Sequence, residues 1–178
     1  MYRTENVNDA WAGIDKMDST NKMQFYLDTS VIDFLFVTDA PDFRAITVEF
    51  FENHAQRHDL YISDIVLLEM ERDPCLEHRA LLFQAVDQYE LEILPNDNNE
   101  AIIELAGRYI ERGAIPRNKE EDAQHVAYAT IYNMDALLSW NFKHLANVNR
   151  EAKIHSVNME AGYYNSIRLL SPMEVIYE

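Results

Sequence analysis

One cysteine, Cys75, stands among 178 residues, which excludes an internal disulfide and suits a reducing compartment. Glycine is nearly as scarce. Its four copies form no glycine-rich phosphate loop, so nucleotide folds built on such a loop are excluded. No apolar run approaches the roughly 20 residues a membrane helix needs. The opening residues also lack the basic-then-apolar order of a secretory signal. The expectation is a cytoplasmic protein that does not enter a membrane. Cations are short as well: 15 Lys and Arg face 31 Asp and Glu, for a net charge of −16. Such a surface repels nucleic acid and favours solubility or a basic partner. The exception is local. Arg108, Arg112, Arg117 and Lys119 lie close together in sequence and form a basic rim able to hold a phosphate backbone.

What is present is ordinary for a globular protein: 48% hydrophobic residues and a length that fits one domain with a full core. Residues 1–22 are polar, with a weak stripe at Val7, Ala10, Trp11 and Ile14. They read as an N-terminal extension, either a plain tail or a short amphipathic helix docking Trp11 on a neighbour. The domain proper is expected over 23–178.

The stretch from Glu121 to His144 organises the rest. Ala123, Val126, Ala127, Thr130, Ile131 and Met134 recur at helical spacing and make one buried stripe. Asp122, His125 and Ala129 fall on a neighbouring stripe. Ala136, Leu137 and Leu138 then suit a short, fully buried parallel strand, stopped by Ser139-Trp140-Asn141. In open α/β sheets ligands sit just beyond the carboxyl ends of strands. That rule points to Ser139 and Asn141, and the start of the Asp122 helix can reach the same place.

Other segments repeat the alternation. Gln24 to Leu27 reads as a strand ending at Asp28, followed by a helix over Val31 to Val37 capped by Thr29-Ser30. Pro41 opens a helix running to about His58 with Phe43, Ile46, Phe50 and Phe51 inward. Leu60 to Ile62 is a strand, and Ser63 caps the helix that carries Glu69. Cys75 to Tyr89 is a helix, Leu91 to Leu94 a strand, and Asn96 to Arg112 a helix closed by Gly113. After the Asp122 unit come a helix over Glu151 to Tyr163, a strand over Ile167 to Leu170 and a turn over Pro172 to Ile176. Alternating strands and helices indicate a three-layer α/β/α sandwich around a parallel sheet.

Three carboxylates stand out by position. Asp28 ends a strand, Glu69 sits on an otherwise apolar helix, and Asp122 opens the helix before another strand. Each alone is more simply a helix cap or a surface acid. Together they are costly unless something pairs with them, and a cation is the simplest answer. Oxygen-only ligands select a hard metal such as Mg2+ or Mn2+. His125, one turn from Asp122, offers a base, although packing on a helix face is the commoner fate of such a histidine.

Leu27-Asp28-Thr29-Ser30-Val31-Ile32, then Ile62-Ser63 with Glu69, then Asp122 leading an Ala-rich helix into Leu137-Leu138-Ser139-Trp140-Asn141, resembles the PIN domain family. Within it the sequence is similar to the VapC-type toxin ribonucleases of bacterial toxin–antitoxin pairs. The Ser-Trp-Asn-Phe-Lys-His stretch is similar to a bacterial subgroup with Trp-Asn-x-Lys-His at this point. The resemblance implies a metal-dependent ribonuclease with Asp28, Glu69 and Asp122 as its acids and Mg2+ or Mn2+ as its cofactor. It further implies a homodimer with a protein antitoxin as partner. The hydroxyl after the first acid falls at Ser30. The family's last polar position, often Asp, is Asn141 here, which removes one negative charge. Asp135 precedes the strand and lies at its wrong end. Ser30, Ser139, Lys143 and His144 are the expected contacts to RNA.

Rival constellations fare worse. His54 and His58 have zinc-compatible spacing but no accompanying HExxH or cysteine pair. An aspartyl-nucleophile phosphatase would want an acid two residues after Asp28, where Ser30 stands. Cys75 has no evident base partner. Two readings stay open: a ribonuclease held in check by a partner, or a PIN-like module that binds RNA or protein and turns over weakly or not at all. Aromatic side chains at Phe34, Phe36, Phe43, Phe50 and Phe51, with Leu35, exceed what one small core readily hides, a further motive for the dimer.

Overall fold

The computed structural model describes residues 22–141 and 148–177. Five strands form one all-parallel sheet in the order β3-β2-β1-β4-β5. They are β1 (Gln24–Leu27), β2 (Asp59–Ile62), β3 (Glu92–Ile93), β4 (Ala136–Leu138) and β5 (Arg168–Leu170). Among the described residues, eight α-helices accompany them: α1 (Thr29–Asp33), α2 (Pro41–Glu49), α3 (Asp64–Glu71), α4 (Leu76–Gln88), α5 (Asn99–Glu111), α6 (Glu120–Ile131), α7 (Val148–Glu160) and α8 (Pro172–Tyr177). This is the expected α/β/α architecture. The central strands are near-continuous apolar runs because both faces of a parallel sheet are covered. Phe25, Tyr26 and Leu27 of β1 and all of β4 are buried.

The strand order has a functional consequence. From β1 the chain winds outward to β2 and β3, then returns to β4 on the other side of β1. That reversal opens a crevice at the carboxyl ends of β1 and β4, the usual ligand position in open α/β sheets. Asp28 and Ser139 are the first residues past those two ends. The backbone amide of Asp28 donates to the Leu138 carbonyl at 3.1 Å, and that of Ser139 to the Leu170 carbonyl at 2.9 Å.

Several local readings shift. Helix α1 ends at Asp33, and Asp28 rather than Thr29 or Ser30 is its cap, accepting from the Ser30 backbone amide at 3.0 Å. The helix from Pro41 gives way after Glu49 to a π-helical turn (Phe50–His54) and a 3-10 turn (Ala55–Arg57). Ser63 occupies the cap position of α3 without capping it, because its hydroxyl is engaged by Tyr26 at 2.6 Å. Helix α6 is buried almost all round, Ala123 and every residue from His125 to Thr130 included, so it is the central helix of its layer and not an amphipathic surface helix. The segment after Ser171 is a helix, not a turn.

The aromatic surplus expected in the early helices is mostly covered within the one chain. Leu35, Phe50 and Phe51 are buried, while Phe34 and Phe36 pack against the core. Phe43 is 41% exposed and lies edge-on against Trp140. These side chains therefore supply little motive for a dimer.

Candidate active site

A cavity of about 370 Å3 at the crevice is lined by Asp28, Glu69, Asp122 and Asn141. Those residues come from the end of β1, from α3, from the first turn of α6 and from the elbow after β4. Ser30 and His125 share the lining. The fold thus brings the three acids and Asn141, expected together from sequence, to one place.

Asp28 is 5% exposed and sits deepest. Its Oδ1 accepts from the Ser30 hydroxyl at 2.5 Å as well as from the Ser30 amide. Burial pushes its carboxyl above the usual aspartate range, partly opposed by His125, Ser139 and Ser30. The nearby Glu69 charge adds to the rise but contributes less than burial. Repulsion between acids is thus the smaller cause here.

Glu69 is held differently. Burial alone would raise its pKa, but the hydrogen bond and charge of His125, then the Thr29 hydroxyl, bring it below the usual glutamate range. Thr29 donates to Oε2 of Glu69, and His125 Nε2 lies 3.2 Å from the same oxygen. His125 is buried; burial disfavours its charge, yet Glu69, Asp28 and Asp122 outweigh that and raise its pKa. Its Nδ1 meets the Tyr26 hydroxyl at 2.8 Å, which in turn meets Ser63. Both ring nitrogens are therefore engaged, so His125 is poorly placed to take a proton from water. Neither is it a merely packed histidine: it supports Glu69. The two residues are 56 apart in sequence, and only the cavity-facing register of α6 hinted at the contact.

Asp122 accepts from the Asn141 side-chain amide, with Nδ2 at 3.3 Å from each carboxylate oxygen. Lys119 Nζ lies 3.9 Å from Oδ2. Asn141 is fixed in turn by its backbone amide donating to the Ser139 hydroxyl at 2.9 Å. The elbow is pinned at Trp140, whose amide donates to Ser30 Oγ and whose indole donates to Thr47 Oγ1, each at 2.9 Å.

Two residues expected to touch RNA are hydrogen-bonded within the site. Ser139 is buried, and its hydroxyl supports Asp28 and Asn141 from beneath. Ser30 lines the cavity, but its hydroxyl is committed to Asp28 and Trp140. Lys143 and His144 lie outside the described residues, as does the Trp11 stripe. Asp135 accepts from the Gln24 amide at 2.7 Å, at the opposite end of the sheet.

A separate trio, Asp33, Asp73 and His78, places its ligand atoms within 4.8 Å of one another. Asp33 also borders the cavity. The trio's imidazole uses opposite nitrogens, with Nδ1 2.7 Å from Asp73 and Nε2 3.7 Å from Asp33. That arrangement lays the ring between the two carboxylates and does not turn one nitrogen and two carboxylates on a common ion. The donors of Asp28, Glu69 and Asp122 are all carboxylate oxygens, a set that fits a hard divalent cation.

The sequence profile of the PIN domain matches residues 25–148, more than half of the chain. The chain belongs to the PIN domain family. No curated protein matches it. The family's nuclease-type fold and its general use of a divalent metal agree with the acid-lined cavity. Among the described residues no helix is long and apolar enough to cross a membrane.

Proposed function

We propose that this PIN domain protein is a metal-dependent endoribonuclease that hydrolyses RNA phosphodiester bonds in the cavity of Asp28, Glu69 and Asp122. One observation carries the reading: three carboxylates from three distant segments line one cavity at the strand-order reversal. Asp28, Glu69 and Asp122 would hold Mg2+ or Mn2+, with the Asn141 side chain beside them. When bound, such a cation stabilises charge on phosphate oxygens and makes a bound water more acidic.

The chain's own residues do the positioning. His125 and Thr29 fix the Glu69 carboxylate in its ionised form. Asn141 and Lys119 hold Asp122. Asp28 or Asp122 would orient the attacking water. Burial of Asp28 keeps that carboxylate poorly hydrated and basic, ready to pair with a cation or a proton.

The biological setting we propose is that of a VapC-like toxin in the cytoplasm, restrained by a protein antitoxin and assembled as a homodimer. Its support is the resemblance of the Asp28, Glu69 and Asp122 motifs and the Trp140-Asn141 elbow to that subgroup. Residues 23–178 would form the nuclease domain and 1–22 an extension. A second reading, a weak or inactive PIN-like module binding RNA or protein, is favoured by one feature: position 141 supplies an amide donor to Asp122 where a fourth acid is common. A Mn2+ titration against a ladder of labelled RNAs separates the two. Cation-dependent fragments support the ribonuclease; cation binding with every RNA left intact supports the module.

A further inference from the structure

Beside the acid cavity lies a second one of about 480 Å3, and the two share Arg72, Glu121 and Asp122 in their walls. Arg117 and Lys119, from the loop before α6, line the second cavity, so three cations gather around it. The acids Glu120, Glu121 and Asp122 line it too, and the cavity is close to neutral. In a chain of net charge −16 a near-neutral cavity is a favoured place for a polyanion. The basic rim seen in sequence is divided by the fold. Arg108 pairs with Glu104 at 2.6 Å, and Arg112 with Glu160 at 2.7 Å, so only Arg117 and Lys119 reach this cavity. Arg72, from the end of α3, takes the places of the other two.

Arg72 is bound to Glu121, and both side chains are at least half exposed. An exposed pair of this kind is screened and easily exchanged. A phosphate offers a guanidinium the same bidentate oxygens as a carboxylate. We propose that this cavity takes a phosphate of the RNA strand neighbouring the one at the acid cavity. Glu121 holds Arg72 as an internal stand-in for that phosphate and releases it when RNA arrives. The proposal rests on the ribonuclease reading for its substrate, since a strand with one phosphate at the acids must lay the next against an adjoining wall.

The test measures binding without cleavage. Labelled single-stranded RNA is titrated by fluorescence anisotropy in EDTA, at several salt concentrations, in an Asp28→Asn background. Arg117→Gln is expected to weaken binding on the order of fivefold at low salt, alike for all sequences, and to flatten the log K against log salt slope by about 0.7. Glu121→Gln, which frees Arg72, is expected to tighten binding. Arg112→Gln, an equal charge loss facing elsewhere, should change neither by as much. Equal effects of Arg117→Gln and Arg112→Gln, no tightening with Glu121→Gln, or no RNA binding at all would overturn the proposal. Cleavage by the wild type with unchanged binding in these variants removes the subsite and leaves the ribonuclease. The expected binding changes with no cleavage by the wild type leave the subsite and remove the ribonuclease.

Discussion

Asn141 donates its side-chain amide to both carboxylate oxygens of Asp122, 3.3 Å from each. A neutral donor therefore holds the last acid of the cavity, where a fourth carboxylate would repel it. Asn141→Asp should lower the stability of the cation-free protein, because two carboxylates would then meet where an amide now donates to one. The same change should tighten Mn2+ binding. Calorimetry with Mn2+ and thermal melts in EDTA measure both, and unchanged or weaker binding would mean that position 141 does not face the cation.

The three acids should not respond alike to amide substitution. Asp28→Asn keeps a competent helix cap and removes a buried charge, so the cation-free protein should hold or gain stability. Glu69→Gln instead removes the negative charge facing buried His125. At pH 6, where the imidazole is charged, this should cost about 2 kcal/mol, below the usual cost of breaking a fully buried pair because the Glu69 side chain is 21% exposed. Denaturant unfolding of both variants checks the contrast, and equal stabilities would remove His125 from its supporting role.

The pair also fixes a pH response. His125 has its pKa raised on folding, so its contribution is complete below the unfolded value and is lost as pH rises through the folded one. Glu69 has its pKa lowered, so its contribution is present above the ordinary glutamate value and is lost as pH falls through the folded one. Asp28, raised, adds a penalty as it ionises. Stability in EDTA should thus decline as pH rises past neutrality, and His125→Gln should flatten that limb. An equal decline in the variant would contradict the assignment.

Trp140 anchors the elbow that carries Asn141, through its indole hydrogen bond to buried Thr47. Thr47→Val keeps the shape and leaves the indole N–H without its partner, at a cost of about 1–3 kcal/mol. The melting temperature should fall by roughly 2–4 °C per kcal/mol. A change of less than a degree would show that the anchor is dispensable.

The sheet was legible because each buried strand is a short apolar run punctuated by a polar residue, as Leu27-Asp28 and Leu138-Ser139 are. The acid cavity was legible for the same reason: an acid placed just past a strand end faces the crevice wherever the strand lies near the reversal. What escaped is what sequence distance hides. Glu69 with His125, and Arg72 with Glu121, meet only when α3 and α6 are packed side by side. The basic rim misled because Arg108 turns along α5 to Glu104 and Arg112, at the helix's C-cap, meets Glu160 of α7, whereas Arg117 and Lys119 are carried round the following loop. Phe43 looked like core and is the exposed edge of the Trp140 cluster.

Cleavage of one labelled RNA in Mn2+ by the wild type and by Asp28→Asn, Glu69→Gln and Asp122→Asn tests the central claim most directly. The wild type should cut the RNA only with the cation present, and each variant should lose on the order of 100-fold or more in rate. Near wild-type cleavage by all three variants would contradict the claim that these acids form the active site.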